Sequence, residues 1–156
     1  GSTGQPKAIA GRLKGIDHFI RWEIKTFGLG ADSRVSQILP PTFDGSLRDI
    51  FIPLCTGGTA CVPDDHDTLL DTKKLVAWLD RERITLIHCV PSLFRSLLNE
   101  QLIARNFKSL KHILMSGEPL LPGDVKRWTQ IFGERIQLIN LYGPTETTLV
   151  KFAYFV

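Results

Sequence analysis

The sequence predicts an α/β protein with a parallel sheet of about five strands and flanking helices. Amphipathic helical patterns alternate with short apolar runs along all 156 residues. Runs such as 85–89 are apolar almost without interruption, which suits a sheet covered by helices on both faces. Strands separated by helices run parallel through right-handed crossovers. A single domain of this length can bury a sizeable core.

The helices are predicted from apolar side chains that recur every three or four residues. The first, 13–27, carries such a face and is followed by Gly28, a residue that commonly ends helices. The second is predicted to begin near Asp44, because Ser46 and Asp49 have the spacing of a capping box. The remaining helices are predicted at 71–80, 92–98 and 122–133.

The strands are predicted from short apolar runs between these helices. Their predicted positions are 34–39, 59–62, 85–89, 112–115 and 136–141. Ligands of open parallel sheets bind beyond the carboxyl ends of the strands. The candidate site residues there are His88, Ser116, Gly117, Asn140 and Tyr142. We therefore expect one binding pocket at this edge of the sheet.

Composition and charge limit the class of protein. Hydrophobic residues make up 43% and charged residues 22% of the chain, as in an ordinary globular protein. The net charge of +3 is spread without a block of like charges, so we expect no nucleic-acid partner. No apolar stretch approaches the roughly 20 residues of a membrane span, and no signal-peptide pattern opens the chain. We therefore expect no membrane partner and a cytoplasmic location.

The cysteines and histidines predict neither a metal site nor a hydrolase. Cys55, Cys61 and Cys89 are odd in number and lack a Cys-x-x-Cys spacing, so they are interpreted as free thiols in a reducing compartment. His18 and His66 are expected to face solvent. No Ser-His-Asp pattern is found, so covalent hydrolase chemistry is not expected.

Two glycine-bearing turns carry the strongest functional signal. Gly1-Ser2-Thr3-Gly4-Gln5-Pro6-Lys7 offers N-H groups, hydroxyls and an ammonium group that suit phosphate oxygens. It is not a Walker A loop, since its glycines are too close together and Ala8 follows the lysine. The second turn, Asn140-Leu141-Tyr142-Gly143-Pro144-Thr145-Glu146-Thr147-Thr148, combines an aromatic ring, hydroxyls and a carboxylate. Together they indicate ATP chemistry; the alternatives are a flexible basic N-terminus and an ordinary Gly-Pro turn before a helix.

These turns, with Phe43-Asp44-Gly45-Ser46 and Leu114-Met115-Ser116-Gly117-Glu118, occur in the order of one known family. The chain resembles the adenylation domains of nonribosomal peptide synthetases, within the adenylate-forming enzymes that include acyl-CoA synthetases and luciferase. The resemblance covers nearly the whole chain and implies a flavodoxin-like subdomain. It also implies that residues 1–156 are one subdomain, a fragment of a larger adenylation domain whose C-terminal subdomain is absent.

The resemblance implies a site for ATP and Mg²⁺. The implied nucleotide-binding residues are Ser2, Thr3, Gly4, Lys7, Gly117, Glu118, Pro119, Asn140, Tyr142 and Gly143. Tyr142 would lie against adenine and Asn140 would read its amino group, which suits a flat ring and an amide. Thr145 and Glu146 are the implied catalytic residues, the first at the α-phosphate and the second as a magnesium ligand. Glu118 departs from the small residues often found at its position.

The resemblance also implies a pocket for an amino acid. Its residues would be Asp44, Gly45, Arg48, His88, Leu114, Ser116, Leu141, Leu149 and Val150. An aspartate at the position of Asp44 pairs with the α-ammonium group in amino-acid-activating relatives; the alternative is a helix N-cap.

Arg48 and His88 predict the side chain of that amino acid. A buried guanidinium needs an anionic partner, and no nearby pocket residue except Asp44 can offer one, which favours an anionic group on the substrate. An arginine and a histidine at these positions resemble domains that activate aspartate-like or glutamate-like substrates. We therefore expect an acidic amino acid held by Arg48 with His88 assisting. The alternatives are a solvated Arg48, a hydrogen-bonded core His88, and an apolar substrate beside the leucines with Arg48 neutralised by Asp44 or turned outward.

The implied activity is ATP-dependent formation of an aminoacyl-AMP. The acyl group would then load onto the phosphopantetheine thiol of a carrier protein within the synthetase. The 156-residue piece alone is expected to be inactive. The alternatives are a non-catalytic substrate-recognition subdomain and an acyl-CoA synthetase-like ligase, the latter disfavoured by Asp44 and Pro144.

Overall fold

The computed structural model describes residues 9–156, whose strands form one sheet in the order β2-β1-β3-β4-β5-β6. The strands are β1 (Arg34–Ser36), β2 (Thr59–Cys61), β3 (Leu86–Cys89), β4 (His112–Met115), β5 (Gln137–Tyr142) and β6 (Phe152–Phe155). The first five are parallel, and β6 is antiparallel to β5. The predicted α/β class is confirmed, with one edge strand that was not predicted.

The helices alternate with the parallel strands. They are α1 (Leu13–Phe27), α2 (Ser46–Thr56), α3 (His66–Leu70), α4 (Thr72–Arg81), α5 (Pro91–Leu98) and α6 (Pro122–Phe132). The chain adds β2 on one side of β1 and then adds β3 on the other side. Ligands of open α/β sheets bind where the strand order reverses in this way. The point of reversal is therefore the carboxyl end of β1 and β3.

The two faces of the sheet have separate apolar cores. Alternate residues of a strand point to opposite faces. Leu86, Leu114 and Ile139 belong to the core beneath α1 and α2, whereas the core that includes Ile87 and Ile113 lies beneath α4, α5 and α6. Both faces are covered, as the apolar strand runs predicted.

Most helix ends follow the signals in the sequence. Gly28 ends α1 and Gly57 ends α2, both with positive φ, at 60° and 72°. The Asp71 carboxylate accepts hydrogen bonds from the backbone N-H groups of Lys73 and Lys74 and so caps α4. The short helix α3 was not predicted, although Asp65 caps it in the same way.

The predicted capping box at the start of α2 is wrong. The N-cap residue is Gly45, and no side chain caps the helix. The Ser46 hydroxyl donates to the Phe43 carbonyl at 2.7 Å. Asp49 is buried and hydrogen-bonded to His88 on β3. The Asp49 carboxylate therefore makes a tertiary contact, although the local spacing predicted that it would cap the helix.

β6 pairs with β5 in register, with Tyr142 opposite Phe152 and Asn140 opposite Tyr154. Phe152 and Tyr154 are each 70% exposed. None of the helices within residues 9–156 is long and apolar enough to cross a membrane. Cys55, Cys61 and Cys89 are free, and the last two are buried.

Candidate functional site

The loop after β5 presents polar side chains at the carboxyl edge of the sheet. Tyr142 ends β5 and is 67% exposed, with its ring centroid 6.3 Å from that of Phe152. Asn140 is half-buried two residues earlier on the same strand. Thr145 and Glu146 lie exposed in a single 3-10 turn, in which the backbone N-H of Thr147 donates to the Pro144 carbonyl. The edge thus offers a ring, an amide, a hydroxyl and a carboxylate.

Gly143 allows this loop to fold back on itself. A Cβ atom at this position would lie 2.1 Å from the Leu149 carbonyl oxygen and 2.6 Å from Val150 Cα. Both are backbone atoms, so a side chain could not be accommodated without moving the chain. Thr148 and Leu149 have positive φ, at 66° and 60°, and reverse the chain into β6. The fold of this loop therefore requires a glycine at position 143 for a steric reason, whereas its predicted contact with the nucleotide stays a prediction.

The strand β4 lies between β3 and β5, and the loop that follows β4 contacts the end of β3. The backbone N-H of Ser116 donates to the Cys89 carbonyl at 3.2 Å, and Gly117 has a φ of 92°. The Glu118 carboxylate accepts from the Ser92 backbone N-H at 2.8 Å and from its hydroxyl at 3.0 Å. The first N-H groups of a helix have no partner within the helix. The unusual glutamate therefore binds the first turn of α5.

The predicted substrate residues gather on the face of the sheet beneath α1 and α2. Leu114, Leu141 and Leu149 belong to its apolar core, and Val150 packs against them. Asp44 is half-buried in the turn before α2. A Cβ atom on Gly45 would lie 3.2 Å from the Leu39 side chain, so the turn packs against the segment that follows β1. The turn thus lies at the point where the strand order reverses.

The same face contains a buried ionic cluster, which we define as Glu23, Arg48, Asp49 and His88. His88 Nδ1 lies 2.6 Å from Asp49 Oδ1, and its Nε2 is hydrogen-bonded to Glu23 Oε1. Arg48 Nη1 lies 4.0 Å from Glu23 Oε2. All four side chains are at most 1% exposed. The ionic cluster joins α1, α2 and β3.

The geometry favours a protonated His88. Ionised carboxylates only accept hydrogen bonds, and an imidazole that donates to two of them from both nitrogens carries a positive charge. Burial and the Arg48 charge act to lower the pKa of His88, but Glu23 and Asp49 outweigh them and the pKa is raised. Burial acts to raise the pKa of Glu23, yet His88 and Arg48 hold it below its usual value.

The ionic cluster gives Arg48 an anionic neighbour within the protein, Glu23 on α1, rather than Asp44 as one alternative had it. His88 is a hydrogen-bonded core residue, as the alternative interpretation had it. The sequence carried a signal for Glu23, since it lies four residues after Phe19 and four before Phe27, on the buried face of α1. A charged residue on such a face needs a partner.

Two parts of the predicted nucleotide site, the N-terminal loop and the magnesium site, are not among the contacts described above. Ser2, Thr3, Gly4 and Lys7 fall outside the described residues. Within residues 9–156, no three His, Cys, Asp or Glu side chains gather as a metal site. Glu146 would therefore offer magnesium one ligand, with phosphate oxygens and water completing the shell, as is usual for this ion.

A separate cleft of about 430 Å³ lies between α1 and β6. Its lining includes Phe19, Trp22 and Phe152, and Val150 is the one predicted site residue in it. The cleft therefore contacts the predicted pocket at its margin.

Comparison with known proteins identifies the family. The family described as AMP-binding enzyme matches residues 1–154. Tyrocidine synthase 3 from Brevibacillus parabrevis is 35% identical over 151 residues. Phosphinothricin tripeptide synthetase PhsB from Streptomyces viridochromogenes is 35% identical over 153 residues. Both matches cover 96% of this chain but only 2% and 12% of those proteins. The chain thus spans a small part of the length of these relatives.

Solved structures show the same fold. CmiS6 has a TM-score of 0.84 at 32% identity, over 97% of this chain and 36% of that structure. The adenylation domain AlmE from Vibrio cholerae, in complex with glycyl-adenosine-5'-phosphate, has a TM-score of 0.86 at 31% identity, over 99% of this chain and 28% of that structure. The resemblance to adenylation domains of nonribosomal peptide synthetases is confirmed, and the chain belongs to the family of AMP-binding enzymes.

Proposed function

We propose that this chain is the part of an amino-acid-activating ligase that binds the amino acid and the adenine nucleotide. The observation that carries the proposal is the meeting of three loops at one edge of the sheet. The turn at Asp44 follows β1, the loop 116–119 follows β4, and the loop 142–148 follows β5. The similar AlmE domain was solved with an aminoacyl adenylate, the product that such a site would form.

The reaction we propose is adenylation. A carboxylate oxygen of the amino acid attacks the α-phosphorus of ATP, the bond to pyrophosphate breaks, and an aminoacyl-AMP results. Tyr142 and Asn140 would hold the base, and Thr145 would hold the α-phosphate. Magnesium bound by Glu146 would neutralise phosphate charge. The chemistry needs positioning and charge stabilisation more than a protein nucleophile.

Asp44 would select an amino acid rather than a fatty acid. Its half-buried carboxylate lies in the turn before α2 and can pair with an α-ammonium group. An acyl-CoA synthetase-like ligase, the second candidate, would have no use for this charge. The free and buried thiols of Cys61 and Cys89 support a reducing compartment such as the cytoplasm.

The main argument for an acidic side chain on the substrate was that Arg48 needs an anionic partner. Glu23 already lies beside Arg48 as that partner, so the argument no longer holds. The acyl group would pass from the adenylate to the phosphopantetheine thiol of a carrier protein. We expect the 156-residue chain alone to show negligible turnover, since closing segments of adenylation domains complete such sites.

The proposal is tested by pyrophosphate exchange in the adenylation domain that carries these residues, with a panel of amino acids and fatty acids. We expect exchange with an amino acid, and a loss of about a hundredfold or more in kcat/KM for Asp44→Asn, because the carboxylate that pairs with the α-ammonium group is removed. Asp17→Asn, an exposed change of the same charge on α1, is the matched control. Exchange with fatty acids, or undiminished exchange by Asp44→Asn, would contradict the proposal.

A further inference from the structure

The ionic cluster lies directly beside the turn proposed to hold the substrate. Arg48 Nε lies 3.4 Å from the Gly45 carbonyl oxygen. Arg48 Nη2 lies 3.6 Å from the position that a Cβ atom on Gly45 would occupy. Asp44 immediately precedes this glycine. An amino acid held at Asp44 would therefore present its side chain to the Arg48 end of the ionic cluster.

The charges of the ionic cluster sum to zero. Glu23 and Asp49 each contribute one negative charge, and Arg48 and protonated His88 each contribute one positive charge. All four are buried from water, so none of these charges is screened as it would be at the surface. A substrate carboxylate placed here would be a third anion facing two cations. The free-energy cost of removing this carboxylate from water would not be offset by an unpaired cation in the ionic cluster.

Arg48 nevertheless has hydrogen-bonding capacity left over. Its Nη1 atom is buried without a hydrogen-bond partner. A hydroxyl or carbonyl oxygen on the substrate would approach the guanidinium from the Gly45 side, where Nη2 lies, and could accept a hydrogen bond there without adding charge. Leu114 and Leu141 supply apolar surface on the same face of the sheet.

We propose that Glu23 is a specificity-determining residue: by neutralising the floor of the substrate pocket, it makes the enzyme select amino acids with uncharged side chains over aspartate and glutamate. This inference rests on the proposed adenylation activity. Glu23 acts through Arg48 and His88 and does not itself touch the substrate.

The test is pyrophosphate exchange by the intact adenylation domain with aspartate, glutamate, asparagine, glutamine, serine and leucine. The quantity compared is kcat/KM for the best uncharged substrate divided by that for the better acidic one. We expect this ratio to exceed about ten in the wild type. Glu23→Gln keeps the shape of the side chain but leaves the floor with one net positive charge. We expect it to lower the ratio by at least about tenfold.

Two further variants complete the design. Asp17→Asn makes the same change of charge at an exposed position of α1 and should leave the ratio unchanged. Arg48→Gln leaves the floor with one net negative charge and should raise the ratio. If Glu23→Gln does not fold, the ratios measured for the wild type and for Arg48→Gln test the proposal.

The outcomes separate this inference from the proposed function. A wild type that prefers aspartate or glutamate overturns the inference and leaves adenylation intact. A ratio that Glu23→Gln leaves unchanged also overturns the inference. Exchange with none of the amino acids, or with fatty acids only, overturns the proposed function and the inference that rests on it.

Discussion

Single residues decide the character of the predicted substrate pocket. Asp44, Arg48 and His88 were predicted from the family's pocket positions, and the structure places Asp44 in the turn before α2, Arg48 against that turn and His88 against Asp49 of α2. Glu23 was missed because it belongs to no motif and lies 25 residues before Arg48 along the chain, so only folding brings them together. The sequence thus predicted a set of site residues, but not the charged neighbours that folding gives Arg48 and His88.

The ionic cluster should make stability depend on pH. A group whose pKa is raised by folding stabilises the protein fully below its unfolded value, and this contribution is lost as the pH rises through the folded value. His88 behaves in this way, with an ordinary value of 6.5. Glu23 has a lowered pKa and an ordinary value of 4.5, so its contribution is lost as the pH falls below that range. The ionic cluster should therefore stabilise most between these two values.

The measurement is the free energy of unfolding of the wild type minus that of His88→Gln, from pH 4 to pH 9. We expect the difference to be largest near pH 5 to 6 and to shrink above pH 7. His112, whose pKa is lowered by burial, gives the opposite slope and cancels in the difference. The groups around His88 are Glu23, Asp49 and Arg48. A difference that grows from pH 6 to pH 9 would show that His88 is neutral in the fold.

Helices and strands were predicted well where one local signal determined them. The helix 13–27 and the strand 112–115 have the bounds predicted for them, because a continuous apolar pattern and a clear stop define each. The capping box failed since Asp49 was needed by His88, a contact that local spacing cannot reveal. β6 was missed because its exposed aromatic residues do not form a buried run.

The loop between β5 and β6 predicts the effect of one substitution. Gly143→Ala would place a methyl group 2.1 Å from the Leu149 carbonyl oxygen, so the loop must move. We expect a loss of stability of about 1 to 3 kcal/mol, as for other overpacked sites, and weaker ATP binding. Thermal unfolding and ATP titration of the adenylation domain measure the two effects.

The matched control is Gly123→Ala in the first turn of α6, where a Cβ atom meets nothing within 4 Å. Alanine there should be neutral or slightly stabilising, because glycine costs a helix about 0.5 to 1 kcal/mol. Equal stability and ATP binding in Gly143→Ala and Gly123→Ala would remove the steric argument for this loop.

The whole sheet ends in an aromatic edge. The parallel direction of the strands was predictable because alternating helices and strands leave few topologies. The identity of the edge strand was not, because it depends on the order of the strands in the sheet. Phe152 and Tyr154 are exposed on β6, and exposed edge strands pair readily with other chains. The aromatic residues add an apolar patch to this edge.

We expect the 156-residue chain, studied alone, to self-associate through β6. Tyr154→Lys should shift it toward the monomer, because a charge on an edge strand opposes edge-to-edge pairing. Leu70→Lys, which changes a residue that is 73% exposed on α3, should leave the association unchanged. Sedimentation velocity over a range of concentrations distinguishes these cases. A monomeric wild type at high concentration would contradict the expectation.

The ionic cluster also bears on attempts to retarget such a domain by exchanging its pocket residues. Replacing Arg48 and His88 alone would leave Glu23 as a buried carboxylate without a cation, and breaking a buried ion pair typically costs about 3 to 5 kcal/mol. The recipient would then lose stability for reasons unrelated to its new substrate. An engineer should therefore transplant the residue at position 23 on α1 together with the predicted pocket residues on α2 and β3.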